Sequence, residues 1–328
     1  MAEVGINATK NILIGLSQKK VKSVYLMLAL SIAIVICGGI FVSYYVRGRT
    51  PYFGSFLPAF RPPAPTYRFS ILGEGENMML KPMDLRVAGD HIYVTDTLNS
   101  RVQIFMLTGE PVLSFGSYGT NPGQLNFPYG IDVYGNNIYV ADTYNGNISI
   151  FDNNGRFMDY FASAGGELTQ PAGVLIDGQH LYVCNLDPGQ ILVYDIDTGE
   201  LLQIIGSDGT AEGELSYPND LTVGPDGNLY VSDTGNNRIQ VFARNGDFIK
   251  VLPIEDGLVY NPRGLAFNTH GQLYVVNKLD NHVAIFDKNW KLVDRMGERA
   301  FNLPNGLDID ASGGRVYVTD HISTLVFQ

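Results

Sequence analysis

The side chains best suited to form a site follow six prolines that recur along the chain, at positions 82, 128, 171, 218, 262 and 304. The residues directly after these prolines are, in order, Met83, Tyr129, Ala172, Asn219, Arg263 and Asn305. One position further along, two repeats carry an acid, Asp84 and Asp220. Carboxylate, amide, phenol and guanidinium groups gathered at one place could hold a small polar ligand or a cation. The candidate binding residues are therefore Asp84, Tyr129, Asn219, Asp220, Arg263 and Asn305.

Motifs of several other chemistries are absent from the sequence. There is no G-x-S-x-G nucleophile elbow, no phosphate-binding glycine loop and no Cys-x-x-Cys pair. The five histidines share no spacing that would gather three of them around a zinc ion; they are His91, His180, His270, His282 and His321. The sequence therefore predicts no catalytic residue, no metal ion and no cofactor.

A second polar set recurs two residues after a Tyr-Val pair, and it consists of Asp96, Asp142, Asn185, Asp233, Asn277 and Asp320. Six such residues could suggest a ring of acids. Asp and Asn side chains, however, commonly stabilise turns by bonding to nearby backbone groups. We interpret the set as turn-forming, with Arg101 and Arg238 as partners in those turns rather than as catalytic groups.

The elements that position these residues come from an internal repeat. Residues 136–151 read NNIYVADTYNGNISIF, and residues 228–242 read NLYVSDTGNNRIQVF. The triplet (Ile/Leu/Val)-Tyr-Val occurs six times at intervals of 43–48 residues. Each unit holds four short runs in which apolar and polar residues alternate, separated by Gly-containing turns, and such alternation predicts β-strands.

Units of this length that each form a four-stranded sheet are typical of a β-propeller. We therefore predict an all-β, six-bladed propeller over residues 67–328. The sixth unit ends after its third strand, STLVFQ, and the segment YRFSILG at 67–73 matches a fourth strand. We expect residues 67–73 to complete the last blade and close the ring, which removes the exposed sheet edges.

Two stretches carry a family resemblance: FPYGIDVYGNNIYVADTYNGNISIFDNNGRF and YPNDLTVGPDGNLYVSDTGNNRIQVFARNGDF. They resemble the NHL-repeat family of six-bladed propellers, and the resemblance covers residues 67–328. It implies the propeller fold. It leaves the function open, because that family includes binding modules, sensor ectodomains, RNA binders and a few enzymes.

The stretches YPNDL (217–221) and LPNGL (303–307) also resemble calcium-dependent lactonases of the gluconolactonase type. That resemblance implies that Asn219 and Asn305 bind the metal together with a Glu and an Asp at equivalent positions. Here no acid occupies the position after the proline, and Arg263 stands between the two asparagine repeats. A fixed guanidinium beside a cation is unfavourable, which argues against a bound calcium ion. We therefore keep a lactonase only as the alternative to a binding role.

Residues 24–46 contain no charged side chain. A helix of this length spans roughly 35 Å, enough for a bilayer core of about 30 Å. The stretch is longer than the apolar core of a cleaved signal peptide, so we predict a transmembrane signal-anchor helix over residues 23–46. Four lysines precede the span and three arginines follow it, which slightly favours a cytoplasmic tail at residues 1–22.

The proline-rich segment 47–66 would then act as a spacer that holds the propeller outside the cytoplasm, in the periplasm or the extracellular space. After residue 49 the chain carries 32 acidic and 16 basic side chains. A net charge of −16 repels phosphate backbones, so we expect no nucleic-acid partner.

Small residues recur every four positions within the predicted span, at Ala29, Ala33 and Cys37, and small side chains let helices pack closely. We therefore expect other membrane-protein subunits as partners. The favoured function is a membrane-anchored scaffold or accessory subunit that binds protein and does not catalyse, with a possible small ligand at the channel mouth. The alternatives are a calcium-dependent lactonase and an extracytoplasmic ligand sensor.

Overall fold

The computed structural model describes residues 65–328 except 74, 162–166 and 298–299. The predicted cytoplasmic tail (1–22), transmembrane helix (23–46) and most of the spacer (47–66) lie outside the described residues. Within the described part of the chain, no helix has the length and apolar character needed to cross a bilayer.

Six four-stranded antiparallel sheets form the propeller. The first strand of the chain, β1 (Tyr67–Ile71), belongs to the last blade. Blade 1 consists of β2 (Pro82–Ala88), β3 (His91–Asp96), β4 (Arg101–Met106) and β5 (Pro111–Phe115). Blade 2 consists of β6 (Pro128–Tyr134), β7 (Asn137–Asp142), β8 (Asn147–Asp152) and β9 (Phe157–Phe161). Blade 3 consists of β10 (Pro171–Asp177), β11 (His180–Asn185), β12 (Gln190–Asp195) and β13 (Leu201–Ile205).

The loop after blade 3 contains a short parallel pair, β14 (Ser207–Asp208) and β15 (Glu214–Leu215). Blade 4 consists of β16 (Pro218–Val223), β17 (Leu229–Asp233), β18 (Arg238–Phe242) and β19 (Phe248–Val251). Blade 5 consists of β20 (Pro262–Phe267), β21 (Leu273–Asn277), β22 (His282–Phe286) and β23 (Leu292–Met296). Blade 6 consists of β24 (Leu307–Ile309), β25 (Val316–Thr319), β26 (Thr324–Phe327) and β1. Short 3-10 turns lie at Gly75–Asn77, Thr97–Asn99 and Thr234–Asn236. The six-bladed, all-β prediction is confirmed.

The second strand of each blade is buried on both faces, as in β17, where all five residues are buried. This follows from the architecture, because each sheet lies between two neighbours and has no solvent-facing side in its middle strands. Buried clusters accordingly span adjacent blades. One of them joins Tyr139 of blade 2 to Leu181 of blade 3, and another joins Tyr230 of blade 4 to Leu273 of blade 5.

The innermost strands approach each other so closely that the third position of most of them carries no side chain. A Cβ atom on Gly130 would lie 2.2 Å from the Ala172 carbonyl oxygen, and one on Gly173 would lie 2.5 Å from the Asn219 carbonyl oxygen. Gly264 and Gly306 are equally confined against the next blade. The second residue after four of the repeat prolines is therefore glycine, because the neighbouring blade leaves no room for a side chain there. Asp84 and Asp220 hold this position in blades 1 and 4.

The recurring Asp/Asn residues lie at the end of each second strand, and each accepts a backbone N–H from the residue two positions before a repeat proline. The donors are Leu80, Asn126, Thr169, Ser216, Tyr260 and Asn302, in chain order. Asp96 and Asp233 also bind Arg101 and Arg238 at 2.7 Å. The prediction that these groups form turns is confirmed, since they satisfy backbone donors that would otherwise be buried without partners.

Further along the innermost strands, three more charged residues join three adjacent blades of the ring. Arg86 of blade 1 forms two hydrogen bonds to Asp132 of blade 2, at 2.7 and 2.6 Å. Its Nη1 lies 3.7 Å from the Asp308 carboxylate of blade 6. Burial alone would lower the pKa of Arg86, but Asp132 and Asp308 raise it above its usual value. The charge is thus fixed, and it links three blades.

The predicted ring closure is present. Strand β1 pairs antiparallel with β26, with Tyr67 opposite Phe327 and Ile71 opposite Thr324. Beyond the strand ends, Thr66 and Gln328 exchange two backbone hydrogen bonds of 2.9 Å. The first strand of the domain therefore completes the sheet that the last three strands begin.

Ile71 provides a direct test of this closure. Its side chain is 3% exposed and lies in a cluster that joins blade 6 to blade 1. We expect Ile71→Ala to lower the free energy of unfolding by about 2–4 kcal/mol, as for other buried aliphatic truncations. The matched control is Leu72→Ala, at a residue 45% exposed, with an expected change within about 0.5 kcal/mol. Chemical denaturation of the full chain in detergent measures both free energies, and equal small effects of the two substitutions would contradict a docked β1.

Deletion of residues 67–73 should lower the melting temperature more than Ile71→Ala does.

Asp142 gives the fold a dependence on pH. Burial raises the pKa of its carboxyl to about 6, while hydrogen bonds from the Asn126 N–H and the Asn145 amide oppose that rise. The folded protein therefore binds this proton more tightly than the unfolded chain, and the resulting stability is lost as pH rises from about 4 through 6. We expect the free energy of unfolding of the wild type to fall by about 2 kcal/mol between pH 4.5 and pH 7 because of Asp142, and we expect Asp142→Asn to remove this fall.

Asparagine is a suitable replacement there because Asn185 occupies the same position in blade 3 and accepts the equivalent backbone N–H. Urea unfolding at the two pH values, on wild type and variant, provides the measurement. Parallel pH profiles for the two proteins would show that Asp142 does not carry the effect.

Candidate functional site

The structure brings most of the candidate residues together at one end of the channel, where the innermost strands begin. A cavity there is lined by Met83, Asp84, Tyr129, Asn219, Asp220, Arg263, Gly264, Asn305 and Gly306. Of the residues that directly follow the repeat prolines, Ala172 is fully buried and is not part of this lining. The space open to the centre of a water molecule is about 10 Å³, which is room for about one water. A larger ligand must therefore bind at the mouth rather than within the channel.

A hydrogen-bonded network of three residues crosses the mouth. Tyr129 projects from blade 2, and Arg263 projects from blade 5 on the opposite side of the ring. Arg263 Nη1 donates to the Tyr129 hydroxyl at 2.9 Å, and both side chains donate to Asn219 Oδ1. Arg263 Nε adds a bond of 3.3 Å to Asn261 Oδ1. The guanidinium is held in place entirely by neutral groups.

The two asparagines of the lactonase-like stretches have matching conformations but different environments. Asn219 Nδ2 donates to the Tyr217 carbonyl at 2.8 Å, and Asn305 Nδ2 donates to the Leu303 carbonyl at 3.0 Å. These bonds fix which way each amide points. Asn219 Oδ1 is occupied by Tyr129 and Arg263, whereas Asn305 Oδ1 is buried and has no partner among the described residues.

Asp84 and Asp220, which stand one position further from the repeat prolines than the other candidates, both line the cavity. Each carboxylate also accepts a backbone N–H from the next blade, from Ile131 at 3.2 Å and from Leu265 at 2.8 Å. Burial raises the pKa of Asp84 well above its usual value, and the charge of Asp220 raises it further. Burial likewise raises the pKa of Asp220 to about 7. The pair therefore resists carrying two negative charges at once.

Two further basic residues near Arg263 were missed by the analysis of the sequence. In blades 1, 2 and 4, the residue after the recurring Asp is a threonine whose hydroxyl bonds to the next blade's repeat proline carbonyl. In blade 5 this inward-facing position holds Lys278. Burial, with the nearby charges of Arg263 and Lys81, lowers the pKa of Lys278 to about 7. The substitution of Lys for Thr within the repeat pattern was visible in the sequence and could have identified this residue.

Lys81 directly precedes the repeat proline of blade 1. Its Nζ lies 5.8 Å from the centre of the Phe127 ring, and its backbone N–H donates to the His321 carbonyl at 2.7 Å. We call Lys81, Arg263 and Lys278 the cationic corner. Among the described residues, no carboxylate lies within 4.0 Å of any of these three side-chain cations, whereas Arg86, Arg101, Arg238 and Arg244 are each paired with an aspartate.

This chemistry fits an anion better than a cation. The oxygen of Asn219 that a metal would need is already bonded to a guanidinium, which repels a cation. Within the described ranges, no three His, Cys, Asp or Glu side chains come together as a metal site would require. His282, which is buried, is bonded to Asn277 in its own blade and does not line the cavity.

Comparisons with known proteins agree on the fold. A family model described as "NHL repeat" matches residues 215–242, and one described as "6-bladed beta-propeller" matches residues 124–218. The protein brain tumor of Drosophila melanogaster is 26% identical over 120 residues, or 35% of this chain. That match spans 12% of the relative's own length.

Solved structures with a similar fold include two antibiotic lyases. An inactive variant of virginiamycin B lyase from Staphylococcus aureus, crystallised with quinupristin, has a TM-score of 0.58 at 16% identity, covering 78% of this chain and 83% of that one. A streptogramin B lyase has a TM-score of 0.56 at 16% identity, covering 76% and 79%. Similarity at this identity extends to the fold and not to the activity. The six closed blades make this chain a six-bladed β-propeller, and the matches over residues 124–242 show that part of it is similar to NHL repeats.

Proposed function

We propose that this protein is a membrane-anchored, non-catalytic propeller that binds protein partners through one face of its disc. That face, which we call the entrance face, comprises the turns before the repeat prolines and those after the recurring Asp/Asn residues. The strand registers place both sets of turns at the same end of the blades, because Pro82 pairs with Asp96 and Pro218 pairs with Asp233.

The observation that carries the proposal is the exposure of large apolar side chains on this face. Leu98, Tyr144, Leu279 and Ile322 occupy the same position of four different repeats, and they are 42–65% exposed. Beside the repeat prolines, a second set is also exposed: Leu80, Tyr217, Tyr260 and Leu303. Apolar side chains that recur on one face of a folded domain are typical of a protein–protein interface.

The opposite face has a different composition. Its turns read GD at 89–90, GN at 135–136, GPDGN at 224–228 and ARNGD at 243–247. Such turns are built from the Gly, Asn and Asp residues that reverse a chain in water, and they offer few apolar anchors. The contrast supports the entrance face as the binding surface.

A calcium-dependent lactonase is the less favoured function. Such an enzyme would need Asn219 as a metal ligand, yet its oxygen accepts hydrogen bonds from Arg263 and Tyr129. The similarity to lyases supports the fold alone. The exposed apolar side chains of the entrance face fit a binding role without any added catalytic group.

Substitutions on the entrance face test this role. We expect the combined variant Tyr144→Ser, Leu279→Ser and Ile322→Ser to reduce recovery of co-purifying membrane proteins at least tenfold, since apolar anchors usually carry most of an interface's energy. The full chain is extracted in mild detergent, and the associated chains are identified and quantified. The matched control is Ile204→Ser with Ile249→Ser, two residues 46% and 43% exposed on outermost strands. Equal recovery from both variants, or extraction of the chain alone, would contradict the proposal.

The anchor is tested separately. Removal of residues 23–46 should move the chain from the membrane fraction to the soluble fraction, because the uncharged stretch is long enough to span a bilayer. External protease applied to intact cells or spheroplasts should digest the propeller if it lies outside the cytoplasm. A chain that stays with the membrane after the deletion, or is protected from protease, would rule out this topology.

A further inference from the structure

Arg263 lines the channel mouth of a domain that is otherwise acidic, and Arg263 and Lys81 lie close enough to Lys278 to lower its pKa. The chain after residue 49 carries twice as many acidic as basic side chains, yet no acid is paired with Lys81, Arg263 or Lys278 among the described residues. Like charges that are brought together without a counter-charge repel each other, and the cost grows with burial. An arrangement of this kind is favourable when a ligand supplies the negative charge.

Arg263 has one donor group, Nη2, that its own hydrogen-bond network leaves unused. Its Nη1 and Nε are bonded to Tyr129, Asn219 and Asn261, and no described residue accepts a hydrogen bond from its Nη2. Because neutral partners fix the guanidinium, little conformational freedom is lost when a carboxylate binds to it. The site is therefore arranged for an anion before the anion arrives.

Asn305 adds an acceptor to the same cavity. Its side chain is 2% exposed, its Nδ2 is bonded to the Leu303 carbonyl, and its Oδ1 is unpartnered. A ligand that carries an N–H donor close to its negative charge can bind both Arg263 and Asn305. A peptide provides this combination, because each acidic residue is attached to a backbone amide, whereas an inorganic phosphate does not.

The surroundings of the corner are apolar. Leu279 directly follows Lys278, Phe127 lies against Lys81, and Leu303 precedes the proline next to Asn305. Leu279 is 51% exposed and Leu303 is 39% exposed. A partner that places a carboxylate on the corner would therefore meet apolar contacts on either side of it.

We infer that the cationic corner of Lys81, Arg263 and Lys278 binds a carboxylate carried by a partner polypeptide, an Asp or Glu side chain with apolar residues beside it. The inference rests on the proposed binding role of the entrance face and specifies the chemistry of the partner. RNA also carries negative charge, but its continuous phosphate backbone would meet the acidic remainder of the domain. We therefore assign a single buried acid to the corner rather than a polyanion.

Lys278 gives the binding a characteristic pH profile. Its pKa is lowered to about 7 by burial and by Arg263 and Lys81, so the free site loses this positive charge as pH rises through neutrality. Other ionisable groups around it are Asp280 on its own turn, His321 on the equivalent turn of blade 6, and Asp84 and Asp220 in the cavity. A bound carboxylate favours the charged form of Lys278, so affinity should fall as pH rises from 6 to 9.

The experiment measures fluorescence anisotropy of the full chain in detergent with two pools of short peptides. One pool has a fixed aspartate between randomised apolar positions, and the other has asparagine at that place. We expect the aspartate pool to bind wild type at least tenfold more tightly at pH 6. Lys278→Gln and Lys81→Gln should each remove most of this difference, and their melting temperatures serve as the folding control.

Lys278→Arg is the matched variant, because arginine stays charged throughout this pH range. Wild-type affinity for the aspartate pool should fall about tenfold between pH 6 and pH 9, and the fall should be absent or much smaller in Lys278→Arg. Equal binding of the two pools, no binding of the aspartate pool, or identical pH profiles for wild type and Lys278→Arg would overturn the inference. Tighter binding of a single-stranded oligouridine RNA than of the aspartate pool would also overturn it.

The experiments distinguish a wrong carboxylate-binding site from a wrong binding role of the entrance face. If the apolar variants of the entrance face lose their partner while the two peptide pools bind equally, the interaction role stands and the carboxylate anchor does not. If the apolar variants retain every co-purifying chain, the entrance face itself is not the interface.

Discussion

The close approach of six strands around one axis is the constraint on which the structure depends. Where the innermost strands converge, a single added carbon atom on Gly130 or Gly173 would overlap the backbone of the next blade. The same convergence leaves space for about one water molecule inside the channel. Because this cavity is too small for a larger molecule, we propose that selectivity for a partner lies where the strands begin and on the turns around them.

Tight convergence also determines which polar groups can be tolerated. Buried backbone donors beside the repeat prolines are satisfied by Asp or Asn from the second strand of the same blade, and buried carboxylates such as Asp132 reach N–H groups of the next blade. Against this background of satisfied groups, the unpartnered oxygen of Asn305 and the uncompensated charge of Arg263 are exceptions. Tyr317 OH and Thr324 Oγ1 of blade 6 also lack a partner among the described residues, but Asn305 and Arg263 are the two that line the mouth, where we propose that a ligand binds.

The repeat made most of the fold predictable from the sequence. The period of the repeat predicted the number of blades, and the alternation of apolar and polar residues predicted the strands. The unmatched strand at 67–73 predicted how the ring closes, since each of these local patterns is compatible with one geometry. The turn role of Asp96 and Asp233 was predictable for the same reason. What the sequence could not provide was the direction of side chains at the mouth. Asp84 and Asp220 line the cavity because their strands are irregular after the proline, with register shifts between Pro82 and Leu85 and between Pro218 and Leu221.

The cationic corner was not predicted from the sequence, for a different reason. Lys81 and Lys278 belong to different repeats and are almost two hundred positions apart, so only the closed ring brings them near Arg263. A deviation from a repeat consensus is informative in such a fold, because every equivalent position has the same place relative to the axis. Threonine holds the position of Lys278 in blades 1, 2 and 4, Leu186 holds it in blade 3 and His321 holds it in blade 6, so blade 5 alone places a lysine there.

The pairing of β1 with β26 has a kinetic consequence. During synthesis the segment Tyr67–Ile71 is made before any blade, and its partner β26 is made after all the others. Blades 1 to 5 can assemble from neighbouring segments as they emerge, but the last sheet waits for a contact between the two extremes of the domain. Until then Ile71 has nothing to cover it on the blade 6 side, and the nascent propeller presents two unpaired edges. Ring closure therefore has to wait until the last strand of the domain is made, and the period before it is when the chain is most exposed to misassembly or to a chaperone.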